Sequence, residues 1–478
     1  MRVLVVDVGT SSVRAVVVRD DATFEHETVE EFLPHSPADG VVEFDAAALG
    51  ACVVRVARAA LDRAGRVDGV AVSNQRASTV LWLDDGTPLG PGIGWQDLRT
   101  IGLCFAARGH GLRLAPNQSA TKAQWLLEAA APLDVPIERL RIGTVDSWVV
   151  WVLTEGAAHL TDPTNAGVTG LVQSGFGAWD DSAFDALGIP RTAMATIVDS
   201  AGACATASAL PGAPPIVAVL GDQQASLVGQ ACVRPGDAKI TFGTGGMLDM
   251  VFGPTLPSGD LHGTFPIATW RVDGRVTWGI ESAMLAAGTN VQWLRDGLGL
   301  VPTSAATHDI AAQCIDSGGV VYVPALMGLG TPRWDYGARS GFFGITRGTS
   351  RAEMVRAVLE GVAHRGTDLV EAAEAAGGTP ITALRVDGGM SDNPTFVRAL
   401  ADASQRPVEI ASVREATALG AGLFGHLALG TFATVDELAT TWTPRAVVTP
   451  GRPLDRDHWR SAVERVTRWI PELSGVEF

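Results

Sequence analysis

Lysine is almost absent from this chain. Only Lys122 and Lys239 occur in 478 residues and no GxxxxGK stretch exists, so a P-loop nucleotide site is excluded. No apolar run approaches the roughly 18 residues that span a bilayer. Asp7 breaks the apolar opening, so no signal-peptide core is expected either, and a cytoplasmic location is the default. The five cysteines (Cys52, Cys104, Cys204, Cys232, Cys314) lack any paired spacing, which argues against a disulfide framework or a zinc site and for small core residues. Basic charge is in deficit as well. A net charge of -16 argues against nonspecific binding to nucleic acid or to anionic membranes.

That charge also constrains any anionic ligand, which would need local donors: backbone amides, helix N-termini or a metal ion. The length predicts two or three domains, and 46% hydrophobic with 18% charged residues describes a globular protein. Strand-like runs alternate with helix-like ones, among them "VDGVAVS", an apolar-periodic run from Ala123, "VDSWVVWVLT" and the strand "PIVAVLGD". This is an α/β pattern.

The opening "VVDVGTSSVRAVVV" reads as two strands joined by a turn with more hydroxyls than a tight hairpin requires, and Asp7 inside the first strand is costly unless something binds it. The amides and hydroxyls of Gly9, Thr10 and Ser11 suit a phosphate, Asp7 suits a magnesium ion through water, and Arg14 could return to the same phosphates. Taken alone, the stretch is equally an ordinary hairpin. A second copy, "DAKITFGTGGMLDMVF", repeats strand, Gly-Thr turn and strand, with Thr244 lying 244 − 10 = 234 residues after Thr10. Two similar halves suggest a duplication, with a boundary near Gly229 to Asp237 and a ligand cleft between them.

The second half adds a helix expected near "ESAMLAAGTNVQWLRD", a long helix from about Arg351 to Ala376, the strand "ITALRVDGG" and a further helix. The segment after about Thr431, rich in Pro, Thr and Arg, reads as peripheral. "VDGGMSDN" ends a strand on two glycines, a turn that lets backbone approach a flat or anionic ligand. "LGDQQASLVGQ" places Asp222 between a strand and a helix, where an isolated aspartate is more often a cap. Trp148, Trp151 and Trp293 read as core, His364 and His426 as structural, and Asp335 as a loop anchor. Lys239 is as well explained as a strand-surface lysine as by phosphate contact.

In order along the chain, DxGTxSxxR, "NQRASTVLW", "WQDLRT", "GTVDSWVVWVLT", "TDPTNA", "GDQQASLVGQ", "FGTGG", "AGTNVQWLRD", "VPALMGLGTPRWD", "GITRGT" and "DGGMSDN" with "REATALGA" resemble the FGGY carbohydrate kinases, in particular the glycerol kinase branch. The likeness runs from about residue 3 to 430. It implies two ribonuclease H-like domains of the actin/hexokinase type, 1–232 and 233–478, with an interdomain cleft that closes over ATP and a small polyol or ketose. It further implies that Gly9, Thr10, Ser11 and Arg14 form one phosphate site and Gly243 and Thr244 the other. Gly288, Gln292, Gly389 and Asn393 would meet the nucleotide, Asp7 and Asp222 the magnesium ion. Asp222 would be the catalytic base, and Arg76, Trp95, Asn117, Gln223 and Met247 would line the acceptor site beside it. A homodimer is compatible with this reading.

This chain departs from the glycerol branch at three acceptor positions. Ala77 stands where that branch has glutamate, Asn117 where it has tyrosine, and Met247 where it has phenylalanine. The Met-His pair of xylulose kinases is missing too, so the expected acceptor is a polyol or ketose that extends to tetritols, pentitols or xylulose. The rival from another class is an actin-like or chaperone-like ATPase with no sugar acceptor. The joint presence of "QRAST", "WQD" and "GDQQ" favours the kinase.

Overall fold

The computed structural model describes residues 1–475. Five strands of its first sheet follow from valine-rich or β-branched runs: β1 (Arg2–Val8), β2 (Ser12–Arg19), β3 (Phe24–Glu31), β4 (Gly69–Asn74) and β6 (Pro215–Gly221), with β5 (Ala201–Thr206) at one edge. β1 and β4 are covered on both faces, which explains their nearly continuous apolar sequences. The order across the sheet is β5-β6-β4-β1-β2-β3. The second sheet comprises β7 (Ala238–Phe242), β8 (Gly246–Gly253), β9 (Phe265–Val272), β10 (Arg275–Met284), β11 (Leu384–Asp387), β12 (Val408–Ile410) and β13 (Ala446–Val448), ordered β9-β10-β8-β7-β11-β12-β13.

The two sheets repeat one topology. In each, an antiparallel meander (β1-β2-β3, then β7-β8-β10) is extended on the side of its first strand by two parallel strands, β4 and β6 or β11 and β12. This is the ribonuclease H-like pattern that the family resemblance implies, and it occurs once per half, in keeping with the duplication the repeated Gly-Thr hairpins suggest.

Helices cover the sheets. α1 (Ala46–Ala64) and α2 (Val145–Leu153) bury Leu49, Val53, Val56, Trp148 and Val149 against one face of the first sheet. α3 (Asp222–Gly229) follows β6 directly, and α4 (Gly288–Asp296) follows β10. α5 (Arg351–Gly377), started by a Ser350/Glu353 capping box, and α6 (Pro394–Ser404) form the core of the second half with Phe242, Leu248 and Val386. α7 (Ala416–Ala428) crosses back to cover the other face of the first sheet and lies against α3.

That crossing depends on glycine. A Cβ at Gly420 would lie 1.8 Å from the Ala225 carbonyl oxygen, and one at Gly229 would lie 1.9 Å from that of Ala416. Gly420→Ala is therefore expected to cost about 3 kcal/mol, because backbone rather than a yielding side chain must move. Chemical denaturation of the variant checks this, and an unchanged midpoint would contradict it.

Three expectations are corrected. The helix near "ESAMLAAGTNVQWLRD" starts only at Gly288, because Glu281 and Ser282 sit in the β8–β10 ladder opposite Asp249 and Leu248. The segment after Thr431 is not peripheral: Ala446–Val448 is an edge strand, and α8 (Arg456–Val466) buries Trp459 in a stack on His364 with ring centroids 4.9 Å apart. Its polar composition conceals a short strand and a helix that turns only one apolar face inward. Lys239 is not at the surface but wholly buried. Trp148 and Trp151 are buried in the core and Trp293 packs half-buried against it, and the structural role of His426 holds, its Nε2 meeting the Val18 carbonyl at 3.0 Å. Asp335 anchors a loop, accepting from the Gly337, Ala338 and Arg468 amides and the Ser474 hydroxyl. The cysteines are free.

Beneath the first sheet, Asp146 accepts hydrogen bonds from the Thr144 and Thr161 hydroxyls, and burial pushes its pKa up from 3.8 to about 7. The folded chain holds this proton to higher pH than the unfolded chain does. Between about pH 4 and pH 7 the folded state binds more protons, so this group's contribution to stability falls as pH rises through that window. Asp146→Asn should flatten the fall in Tm between about pH 4 and pH 7, as measured by thermal melts.

Candidate active site

Strand register brings the chemistry-bearing residues to one edge. Val8 lies opposite Asn74, and Asn74 opposite Gly221, so the β1–β2 turn, the Arg76 segment and Asp222 leave the sheet side by side. In the second half Thr241 lies opposite Asp387, which sets the Gly243–Thr244 turn beside Gly388 and Gly389. The "TDPTNA" motif supports the first edge: the Thr164 hydroxyl accepts from the Gly221 amide at 2.7 Å, and Asn165 accepts from Asn74 at 2.8 Å.

The first turn is closed by the Gly9 amide bonding Ser12 at 3.0 Å, and the Trp95 indole donates to the Thr10 hydroxyl at 3.2 Å. Trp95 is 40% exposed and so presents a face to the cleft. Ser11 is exposed beside it. Arg14, opposite Asp7 on β2, is engaged by Glu27 and, at 2.9 Å, by Glu415. The second turn docks on α4: Gly288 donates to the Gly243 carbonyl at 2.9 Å, and Ala287 to that of Thr244 at 2.8 Å. A Cβ at Gly288 would come within 2.6 Å of the Gly243 oxygen, so glycine is required there. Gln292 is exposed one turn further along α4. A Cβ at Gly389 would meet nothing within 4 Å, whereas Asn393 caps α6 through Phe396 and donates to Thr307 at 2.9 Å.

Between the turns lies a buried ionic array that joins the halves. Arg76 meets Asp222 at 3.6 Å and Glu281 at 2.7 Å. Its Nη1 is buried without a hydrogen-bond partner among the described residues. Lys239 meets Asp249 at 2.8 Å, and its ammonium donates to Gln223 Oε1 at 2.7 Å and to Thr241 at 3.0 Å. Burial raises the pKa of Asp222, and Arg76 opposes the shift. Burial also lifts Glu281 to about 7, with Arg76 opposing and Asp249 reinforcing it. Asp7 is pushed up to about 7, first by burial and then by the Asp222 carboxylate. Two crowded carboxylates offering hard oxygen donors suit a magnesium ion that completes its shell with phosphate and water.

The acceptor side is built on Ala77, a buried residue at φ 63, whose carbonyl accepts from the Ser119 hydroxyl at 3.0 Å. Asn117 is exposed two residues before that contact, and Met247 lies opposite Thr241 and Ala283. Lys122, wholly buried, donates to the Trp95 carbonyl at 3.2 Å, and burial pushes its pKa down to about 7 against the pull of Asp97. Sequence reasoning missed Lys122, Asp249 and Glu281 as parts of this site and left Lys239 between the strand surface and a phosphate contact. A signal existed: Asp249 interrupts an apolar strand as Asp7 does, and counting back across the turn pairs it with Lys239.

Comparison with known proteins identifies the family. Models of the N-terminal and C-terminal domains of the FGGY family of carbohydrate kinases match residues 2–229 and 238–429. Glycerol kinases of Aromatoleum aromaticum and Thermus brockianus are 40% and 39% identical to the chain, each alignment covering 98% of it and 99% of the relative. The crystal structure of Plasmodium falciparum glycerol kinase with ADP superposes with a TM-score of 0.90 at 25% identity, covering 97% of this chain and 98% of that one. A xylulose kinase from Rhodospirillum rubrum shares the fold, with a TM-score of 0.84 at 21% identity over 97% and 98% of the two chains. Two matched domains in the right order, and relatives alike from end to end, establish that this chain belongs to the FGGY family of carbohydrate kinases.

Proposed function

We propose that the protein transfers the γ-phosphoryl group of ATP to a terminal hydroxyl of a small neutral polyol or ketose, with residues 1–232 carrying the acceptor side and 233–478 the nucleotide side. The observation that carries this reading is the placement of Asp222, held by Arg76 at 3.6 Å, among the elements that bear the two Gly-Thr turns. Asp222 takes the proton of the acceptor hydroxyl as that oxygen attacks the γ-phosphorus in line, and ADP leaves with the electrons of the broken bond. The amides and hydroxyls of Gly9, Thr10, Ser11, Gly243 and Thr244 grip the phosphates. Gly288, Gln292 and Gly389 shape the nucleotide end. Asn393 contributes there by holding α6, since both ends of its side-chain amide are engaged. Magnesium held by Asp7 and Asp222 would neutralise phosphate charge. Arg76, through its unpartnered Nη1, and Gln223 orient the acceptor against Trp95.

The array also limits the acceptor. The charges of Arg76 and of the buried Lys239 are already balanced by Asp222, Glu281 and Asp249, so an acid group on the substrate would add an uncompensated negative charge. A coupled ADP-release assay with glycerol, erythritol, ribitol, D-xylulose, L-ribulose and D-gluconate tests the reading. Turnover should require a neutral acceptor, and D-gluconate should fail. ATP hydrolysis that ignores every acceptor would instead support the ATPase alternative.

A further inference from the structure

We propose that Lys239, neutralised by Asp249, is a positioning residue that locks the Gln223 amide so that only N–H donors face the acceptor. The inference deepens the kinase reading and rests on it for the contact between Gln223 and substrate. Lys239 and Asp249 are directly opposed on the β7–β8 hairpin and both wholly buried. The ammonium donates to Thr241 and to Gln223 Oε1, and its charge is balanced by Asp249 at 2.8 Å. An ammonium has no lone pair, so it accepts nothing from an amide nitrogen. The amide must therefore offer its oxygen to Lys239, and the orientation follows from chemistry. Among the described residues no hydrogen bond takes up Gln223 Nε2. Gln223 stands next to Asp222 at the start of α3, so these two donors are available beside the base.

A freely rotating amide would satisfy a donor or an acceptor equally. The locked one demands an oxygen lone pair from the substrate atom it meets, which a ketose carbonyl or a hydroxyl supplies and a deoxy carbon does not. Sites that commit a polar group in this way discriminate strongly, because the wrong substrate leaves it unpaired. The arrangement also accounts for a buried ion pair that an apolar pair could replace without loss of stability.

The test uses the full-length enzyme and Lys239→Met/Asp249→Leu, which removes one charge of each sign and so keeps the net charge of the array. The kcat/KM for the preferred acceptor should fall by about 10- to 100-fold, mostly through KM, while KM for ATP stays within about threefold. Gln223→Ala alone should cause a similar loss, and adding it to the pair variant should cause little more, since both act through one contact. Wild-type kcat/KM in the pair variant, or losses that multiply, would overturn the proposal. A loss from the pair without any loss from Gln223→Ala would overturn it as well.

A second measurement is independent of folding in the pair variant. With only two lysines in the chain, 13Cε-lysine labelling yields two NMR resonances, assigned with Lys122→Arg. Gln223→Ala should move the Lys239 resonance and leave that of Lys122 in place, and an unmoved Lys239 signal overturns the contact. If the wild-type enzyme shows no acceptor-dependent turnover, the kinase reading has failed, and the lysine signal still decides whether Lys239 holds Gln223.

Discussion

Asp222→Asn lowers kcat by about 100- to 10,000-fold while leaving ATP binding intact, if Asp222 is the general base. The substitution keeps the shape of the side chain and an oxygen to accept from the Gln223 backbone N–H at 2.8 Å, yet removes the group that can take a proton. Burial lifts the pKa of Asp222 and Arg76 restrains it, so the acid limb of kcat should lie above the ordinary carboxylate range. Activity is then lost as pH falls and the base becomes protonated. Arg76→Met should move that limb further towards neutrality, because it removes the charge that opposes the shift. Steady-state kinetics across pH, with calorimetric titration of ATP into the variant, tests both statements. Near-normal turnover in Asp222→Asn would remove the assigned role.

A four- or five-carbon neutral acceptor is expected to exceed glycerol in kcat/KM by about tenfold or more. Glutamate beside an arginine can receive two hydroxyl protons in fixed geometry, and Ala77 cannot. Asn117 and Met247 are smaller or more pliable than the aromatic residues they stand in for, and the Ser119–Ala77 bond ties the segment that follows Asn117 to Ala77. A longer chain can occupy that space and use the added contacts to hold its terminal oxygen against Asp222. The competing expectation is glycerol, the substrate in the names of relatives about 40% identical to this chain. Comparing kcat/KM over the acceptor panel decides between them, and a tenfold lead for glycerol would refute the enlarged pocket. Ala77→Glu should then shift preference back towards glycerol if the pocket is enlarged as argued.

Much of the molecule was readable before any coordinates. Asp7, Gly9, Thr10, Gly243 and Thr244 belong to hairpins whose strand-turn-strand pattern lies within about fifteen residues, and contacts that local are encoded by local choices of β-branched residues, glycine and hydroxyls. The alternation of strands and helices, and its repetition near the midpoint, similarly pointed to two sheets of one topology. The ionic array was another matter. Lys239 reads on its own as an exposed strand residue, and Glu281 as the start of a helix. Their true environments depend on which strand lies beside them and on α3 arriving from the other half. Arg76 and Glu281 are separated by 205 positions, yet form a 2.7 Å pair. Burial and charge pairing at that separation are properties of the tertiary structure: no window of sequence contains both partners, and a charge is worth burying only where its partner waits.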